Sequence, residues 1–134
     1  IERQELEQAI AHCDRALIIY QDVSDEVGRG EALRWRACAL ARANRMSDAQ
    51  ADVQEALRIA IRAGARLLEA ESARDLGLIR LMRGDKEAGA RDLTRALALF
   101  TKLGARREAE VVRSHLPRPT PSRSLSRISR DPSR

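Results

Sequence analysis

The sequence predicts an all-α protein made of stacked antiparallel helix hairpins, about two and a half of them. Composition is the first of three observations behind this fold class. Aromatic residues make up only 2% of the 134 residues and there are four prolines, which favours long helices over a sheet. The second is an apolar pattern that returns after 40 residues, and the third is that helix-ending residues return with it.

The apolar pattern is visible in the phrases "RALIIY", "EALRIA" and "RALALF", which start at residues 15, 55 and 95. At an offset of 40 residues, one column holds only alanine, the next only leucine, and the others hold small or mostly apolar residues. The columns are Ala16, Ala56 and Ala96; Leu17, Leu57 and Leu97; Ala9, Ala49 and Gly89; Cys13, Val53 and Leu93; and Tyr20, Ala60 and Phe100. Their spacing of three and four predicts one face of a helix, the second helix of each hairpin.

Six helices are expected, over about residues 2–23, 29–44, 47–63, 67–83, 86–103 and 106–116. The first carries the earliest copy of the apolar pattern. The next four end in turn at Asn44, Gly64, Gly84 and Gly104, because asparagine and glycine tolerate the left-handed conformation that follows a helix. The sixth stops before Pro117.

Two helix starts are also marked. Ser47 followed by Gln50 predicts a capping box at the start of the third helix, and Asp85 predicts a cap for the fifth. The first helix has no hairpin partner before it. We therefore expect an exposed apolar edge at the N-terminal end, which favours self-association or a longer parent chain. The start at Ile1 rather than at methionine also predicts a fragment or a processed product.

Charge divides the chain into a helical array, 1–116, and a tail, 117–134. The tail has five arginines against one aspartate, so it carries +4 of the net charge of +5 and leaves +1 for the array. Being rich in proline, serine and arginine, it is expected to be disordered when alone. Three roles stay open: an inert terminus, a phosphorylation substrate, or an arm that binds nucleic acid or an acidic partner. The arginines of such an arm are Arg118, Arg123, Arg127 and Arg130.

Nothing in the sequence predicts catalysis, a metal or a cofactor. His12 and His115 stand far apart, no glycine-rich loop follows a strand, and no serine or cysteine lies in a nucleophile motif. Cys13 and Cys38 are expected to be reduced packing residues, with a disulfide or redox switch as the alternative. No apolar run reaches the roughly 18 residues that span a membrane. We therefore expect a cytoplasmic protein that is not an enzyme.

The helix pairs resemble the tetratricopeptide repeat, and "LGLIRLMRGDKEAGARDLTRAL" is the best copy. Small residues match the family's small positions: Ala37 and Gly77 in the first helix, and Ala49, Gly89, Ala56 and Ala96 in the second. The unit of 40 residues exceeds the family's common unit of about 34. It is similar to the longer repeats of bacterial regulators and signalling ATPases. The sequence departs from the family at Arg36, where a core leucine is usual, and at Trp35, which misses the tryptophan column by two.

The resemblance implies an α-solenoid that acts as a protein-interaction module, part of a larger bacterial regulatory or signalling protein. Its concave groove would bind a partner peptide or helix, with Arg34 and Arg74 gripping carboxylates and Trp35 as an aromatic anchor. The alternative is that these arginines pair with glutamates three residues earlier on their own helices. The family's Lys and Asn clamp for chaperone tails is missing. The groove positions are Glu31, Arg34, Trp35, Cys38, Arg42, Glu71, Arg74, Asp75, Leu78 and Met82.

Overall fold

A computed structural model describes residues 2–117. This part of the chain forms six α-helices: α1 (Arg3–Asp22), α2 (Glu26–Arg42), α3 (Met46–Ala63), α4 (Arg66–Met82), α5 (Lys86–Lys102) and α6 (Arg106–His115). The predicted all-α class is confirmed for the described residues. The expectations for the tail, including the roles of its arginines, lie outside them.

Each helix packs against the next one along the chain, and α2 also contacts α4. The connections are two or three residues long, so consecutive helices turn back on one another as hairpins. The contacts are most extensive within the pairs α2–α3 and α4–α5, which we call the first and second hairpins. No helix of residues 2–117 is sufficiently long and apolar to cross a membrane.

The predicted helix ends are confirmed. Asn44, Gly64, Gly84 and Gly104 follow helices α2 to α5 and have φ values of 63°, 68°, 89° and 74°. Ser24, which the sequence did not mark, plays the same part after α1 with a φ of 58°. The left-handed conformation lets amide groups just past the helix donate to carbonyls of its last turn. The ends of the helices were therefore readable from local backbone preference.

Two helices begin with an aspartate N-cap. They are α2, the first helix of the first hairpin, and α5, the second helix of the second hairpin. Asp85 accepts a hydrogen bond from the amide of Ala88 at 3.4 Å, as predicted. Asp25 does the same for Gly28 at 2.9 Å, and this cap places the start of α2 at Glu26, three residues before the predicted position. An N-terminal aspartate satisfies an amide that the helix itself leaves without a partner.

The capping box predicted at Ser47 is wrong. Helix α3 begins one residue earlier, at Met46, and its N-cap is Arg45, which makes no side-chain cap hydrogen bond. With Ser47 already inside the first turn, its hydroxyl cannot act as the cap and Gln50 has no reciprocal part to play. The Arg45 guanidinium instead lies 3.1 Å from the Asp48 carboxylate.

The repeated apolar face is buried in α3 and α5 but only partly covered in α1. Ala49, Val53, Ala56, Leu93 and Ala96 are each 0% exposed. The same columns of α1 are less covered: Ala9 is exposed, and Cys13 and Ala16 are half-buried. The core therefore lies within and between the two hairpins, and α1 forms its N-terminal margin.

Small residues occupy the same two repeat columns in both hairpins, and in the second they allow a close approach of the helices. In the second hairpin, a Cβ atom built on Gly77 would lie 2.9 Å from the carbonyl oxygen of Gly89, and the reverse distance is also 2.9 Å. The same columns of the first hairpin hold Ala37 and Ala49, which are 1% and 0% exposed. The second hairpin therefore brings two helix backbones into direct contact at this point.

Candidate partner-binding groove between helices α2 and α4

A groove of about 210 Å³ lies where α2 and α4 run beside each other. Its lining is mainly apolar, with one acidic and one basic side chain. We call it the α2–α4 groove, and its residues are Ala37, Cys38, Ala41, Arg42, Val53, Asp75, Leu78, Ile79 and Met82. An apolar cleft with few polar groups is typical of binding sites in proteins.

Helix periodicity explains why these residues share one surface. On α2 they fall at two adjoining pairs of positions four apart, and on α4 at intervals of three and four. Ala37 and Ala41 are small, so the α2 side of the groove stays open. Val53 of α3, which is 0% exposed, lies beneath both helices. Helix α3 therefore supplies the floor, and α2 and α4 supply the walls.

The acidic residue of the groove is held by two arginines. Arg34 Nη1 donates to Asp75 Oδ2 at 2.9 Å, and Arg74 Nε donates to Asp75 Oδ1 at 2.9 Å. Arg34 Nη2 also lies 3.6 Å from Glu71 Oε1. Because Arg34 is only 8% exposed, these contacts are shielded from solvent and couple α2 to α4.

The basic residue of the groove is placed differently. Arg42 is exposed and forms no ion pair with any residue of 2–117. Beside it, Met82 is 64% exposed and Leu78 is half-buried. This part of the α2–α4 groove therefore offers a cation next to flexible apolar side chains, a combination suited to an acidic and apolar ligand.

Cys38 also lies in the groove. Partial burial, followed in importance by the nearby Asp75 carboxylate, raises the pKa of the Cys38 thiol. Burial also raises the pKa of the Cys13 thiol. Both cysteines are free; Cys13 is half-buried, whereas Cys38 is exposed, so the packing role expected for Cys38 is wrong. A raised pKa keeps a thiol protonated at neutral pH, so each is a weak nucleophile.

The structure divides the ten predicted groove positions into three groups. Cys38, Arg42, Asp75, Leu78 and Met82 come together in the α2–α4 groove. Arg34, Glu71 and Arg74 form the ion-pair network around Asp75. Glu31 and Trp35 lie elsewhere, in a cavity of about 230 Å³ between α1 and α2. They share it with His12, Cys13, Ala16, Tyr20 and Ala32.

The contacts of Arg34 match neither sequence-based interpretation in detail. Arg34 does not pair with Glu31 on its own helix; it reaches across to Asp75 and Glu71 on α4. Its guanidinium also lies 4.9 Å from the centroid of the Trp35 ring, a cation–π distance. Arg34 thus links the groove to the Trp35 side of α2. The role of these residues in partner binding stays a prediction.

Sequence reasoning missed a polar cleft of about 470 Å³ bounded by α1, α2 and α3. At its centre Arg36 Nε lies 2.7 Å from Asp52 Oδ2, and Arg36 Nη1 lies 2.8 Å from Asp14 Oδ1. The signal was present, because Arg36 replaces the core leucine usual in the family it resembles. This cleft is larger than the α2–α4 groove, but its central arginine already pairs with two carboxylates, and we favour the groove as the binding site.

No protein-family model matches this sequence, and no curated protein matches it significantly. The resemblance to the tetratricopeptide repeat therefore rests on the 40-residue pattern alone. Among residues 2–117, no group of three or more His, Cys, Asp or Glu side chains is arranged to hold a metal ion.

Proposed function

We propose that the chain is a non-enzymatic protein-interaction module whose hairpins stack as a tetratricopeptide-like solenoid. Its α2–α4 groove binds a peptide or helix of a partner protein, and the parent is a regulatory or signalling protein. The observation that carries this proposal is the groove itself. It is an apolar surface between α2 and α4, the first helices of the two hairpins, with Arg42 exposed at its side. Concave surfaces of this kind are the binding faces of helical-repeat proteins.

The charges of the groove favour a particular ligand chemistry. Arg34 and Arg74 both donate to Asp75, so they hold the groove wall and are less available to a ligand. Arg42 has no such partner among the described residues. A ligand with apolar side chains beside an acidic residue would pack on Leu78 and Met82 and place its carboxylate near Arg42.

Peptide selection tests this proposal. A displayed library of random peptides is selected on the full chain, and the selected peptides are measured by fluorescence anisotropy. Arg42→Glu and Met82→Asp are expected to weaken binding roughly tenfold or more, as for central contacts of an interface. Arg107→Glu and Leu103→Asp are matched controls on exposed positions outside the groove. Equal loss in both pairs, or no loss in the groove pair, would contradict the proposal.

The tail supports an alternative function, because it carries +4 of the net charge of +5. In this alternative the array is a support and the arginines bind nucleic acid or an acidic partner. Binding of an oligonucleotide would then fall with salt at a slope of about −0.9 per phosphate contacted. It would disappear from a full chain in which Arg118, Arg123, Arg127 and Arg130 are serine. The same replacement leaves peptide binding unchanged if the groove is the functional surface.

A further inference from the structure

Within residues 2–117, no helix covers α1 as α2 covers α3. Ile59 of α3 is 1% exposed, whereas Ile19, 40 residues earlier on α1, is 60% exposed. Ala56 is 0% exposed, whereas Ala16 is half-buried. We call the surface around them the N-terminal face and define it by Cys13, Ala16, Ile19, Tyr20, Glu31 and Trp35. An apolar surface left open on one helix and covered on its repeat invites a partner.

The cover that α3 receives comes from α2. Leu33 of α2 clusters with Ala56 and Ile59 of α3. One turn earlier, Gly30 lets the helices meet: a Cβ atom there would lie 3.3 Å from Ile59 and 2.9 Å from Leu68 of α4. A small residue followed three positions later by an apolar residue is therefore what the covered surface of α3 and α4 accepts.

Helix α2 also contributes a charge to this contact. Arg34 Nη2 lies 3.6 Å from Glu71 Oε1, and Arg34 Nη1 lies 2.9 Å from Asp75 Oδ2, both on α4. The pattern of the covering helix is thus Gly30, Leu33 and Arg34: a small residue, an apolar residue three positions later and a cation four positions later. All three residues are buried.

The N-terminal face carries the receiving columns only in part, since Leu68, which Gly30 meets on α4, becomes Gly28. An offset of 40 residues takes Glu71 to Glu31 and Asp75 to Trp35. Glu31 is exposed and has no ion-pair partner among the described residues. Trp35 is 59% exposed. A cation that enters this face would meet the Glu31 carboxylate, which attracts it, beside the Trp35 ring, whose centroid lies 4.9 Å from the Arg34 guanidinium.

We propose that the N-terminal face binds an amphipathic helix with the α2 pattern, whose cation pairs with Glu31 beside Trp35. Its small and apolar residues pack on Ile19 and Ala16. The surface is separate from the α2–α4 groove and the proposal does not depend on the groove's function. An apolar stripe matched with a complementary charge selects such a helix over an apolar peptide in general.

The chain itself supplies the probe. A fluorescent peptide of residues 26–42, with Cys38→Ser, is kept helical by a covalent staple between positions 31 and 35, both exposed in α2. Saturable binding to the full chain is expected by anisotropy. Ile19→Asp should weaken it roughly tenfold or more, while Ile61→Asp, a matched exposed isoleucine on α3, should change it less than about twofold.

A charge exchange tests the orientation of the helix. Glu31→Arg in the chain should weaken the peptide several-fold, and Arg34→Glu in the peptide should restore binding to that variant. Circular dichroism checks that the variants stay folded.

Three results would overturn the proposal. The peptide does not bind, or binds equally to Ile19→Asp. Met82→Asp weakens it more than Ile19→Asp, which places it in the α2–α4 groove. Sedimentation shows a dimer of the chain alone that Ile19→Asp dissociates and the peptide does not, which makes a second copy the occupant.

Discussion

The two hairpins solve the same packing problem with different residues. In the same two repeat columns, the first hairpin has Ala37 and Ala49, and the second has Gly77 and Gly89. The first hairpin accommodates the Cβ atoms of its two buried alanines, whereas a Cβ atom on either glycine of the second would lie 2.9 Å from the carbonyl oxygen of the other. The comparison teaches that a repeat column fixes the size of a residue within a narrow range and leaves its identity free.

The ion pairs of the two hairpins extend the comparison to charge. In the first, Arg29 Nη2 lies 3.1 Å from Glu55 Oε2. In the same columns of the second, Arg95 Nη2 lies 2.9 Å from Glu69 Oε2, with the signs reversed. A column contact therefore requires complementary charges and does not fix which helix carries which sign.

In a third contact, both hairpins have an aspartate in the same column, but its arginine partner lies at a different position. Asp52 of α3 and Asp92 of α5 occupy the same column, and each pairs with an arginine of the preceding helix. The arginines are Arg36 and Arg80, which differ by one helical turn in the repeat frame. Long arginine side chains make this shift compatible with one carboxylate position.

The largest expected effect comes from the column of Ala60 and Phe100, both 0% exposed. Phe100→Ala leaves a cavity in the second hairpin and should cost about 3–5 kcal/mol of unfolding free energy. Ala60→Gly in the first hairpin should cost only about 1 kcal/mol, from helix propensity. Urea denaturation of both variants measures the difference. Similar losses would mean that the two hairpins fill this column in the same way.

The next effect concerns the glycine pair. Gly89→Ala places a Cβ atom 2.9 Å from the Gly77 carbonyl oxygen and 2.8 Å from Leu81. Steric overlap should cost about 1–3 kcal/mol net, although alanine is intrinsically the better helix former by about 1 kcal/mol. Denaturant midpoints compare it with Ala49→Gly, its reverse in the first hairpin. Stabilisation by Gly89→Ala would show that the backbones are not in close contact.

A smaller effect separates the two reversed ion pairs. The Glu69 side chain is 7% exposed and the Glu55 side chain 31%. Glu69→Gln should cost about 1–3 kcal/mol, because a shielded carboxylate loses hydrogen bonds from Arg66 and Arg95. Glu55→Gln should cost less than about 1 kcal/mol, as surface pairs do. Thermal unfolding at constant pH ranks the two variants, and the opposite order would contradict the comparison.

The smallest effect is a dependence on pH. Hydrogen bonds, first from Arg58 and then from Arg29, lower the pKa of Glu55. Its contribution to stability is therefore present above the pKa of the unfolded chain and is lost as the pH falls through the lower pKa of the folded chain. The stability difference between the native chain and Glu55→Gln should shrink as the pH falls from 7 to about 3. A difference that stays constant over this range would exclude the carboxylate charge as its source.

The helices and most of their ends could be predicted from the sequence, and the reason is that both depend on local properties of the chain. The apolar columns follow from a periodicity that each helix satisfies alone, and the ends at Asn44, Gly64, Gly84 and Gly104 follow from local backbone preference. The sequence was less successful at helix starts, since Asp25 lengthened α2 and Ser47 did not cap α3. A cap depends on where the chain enters the helix, which neighbouring helices also influence.

Which neighbour each half of one face of α2 meets was set by tertiary packing alone. Periodicity places Glu31 and Trp35 close to Cys38 and Arg42 around the helix, yet the first two face α1 and the others face α4. Nor did it reveal that Arg34 pairs with α4. The period of one helix fixes which residues share a face. What that face touches depends on the positions and crossing angles of α1, α3 and α4, which are set by the packing of all four helices together.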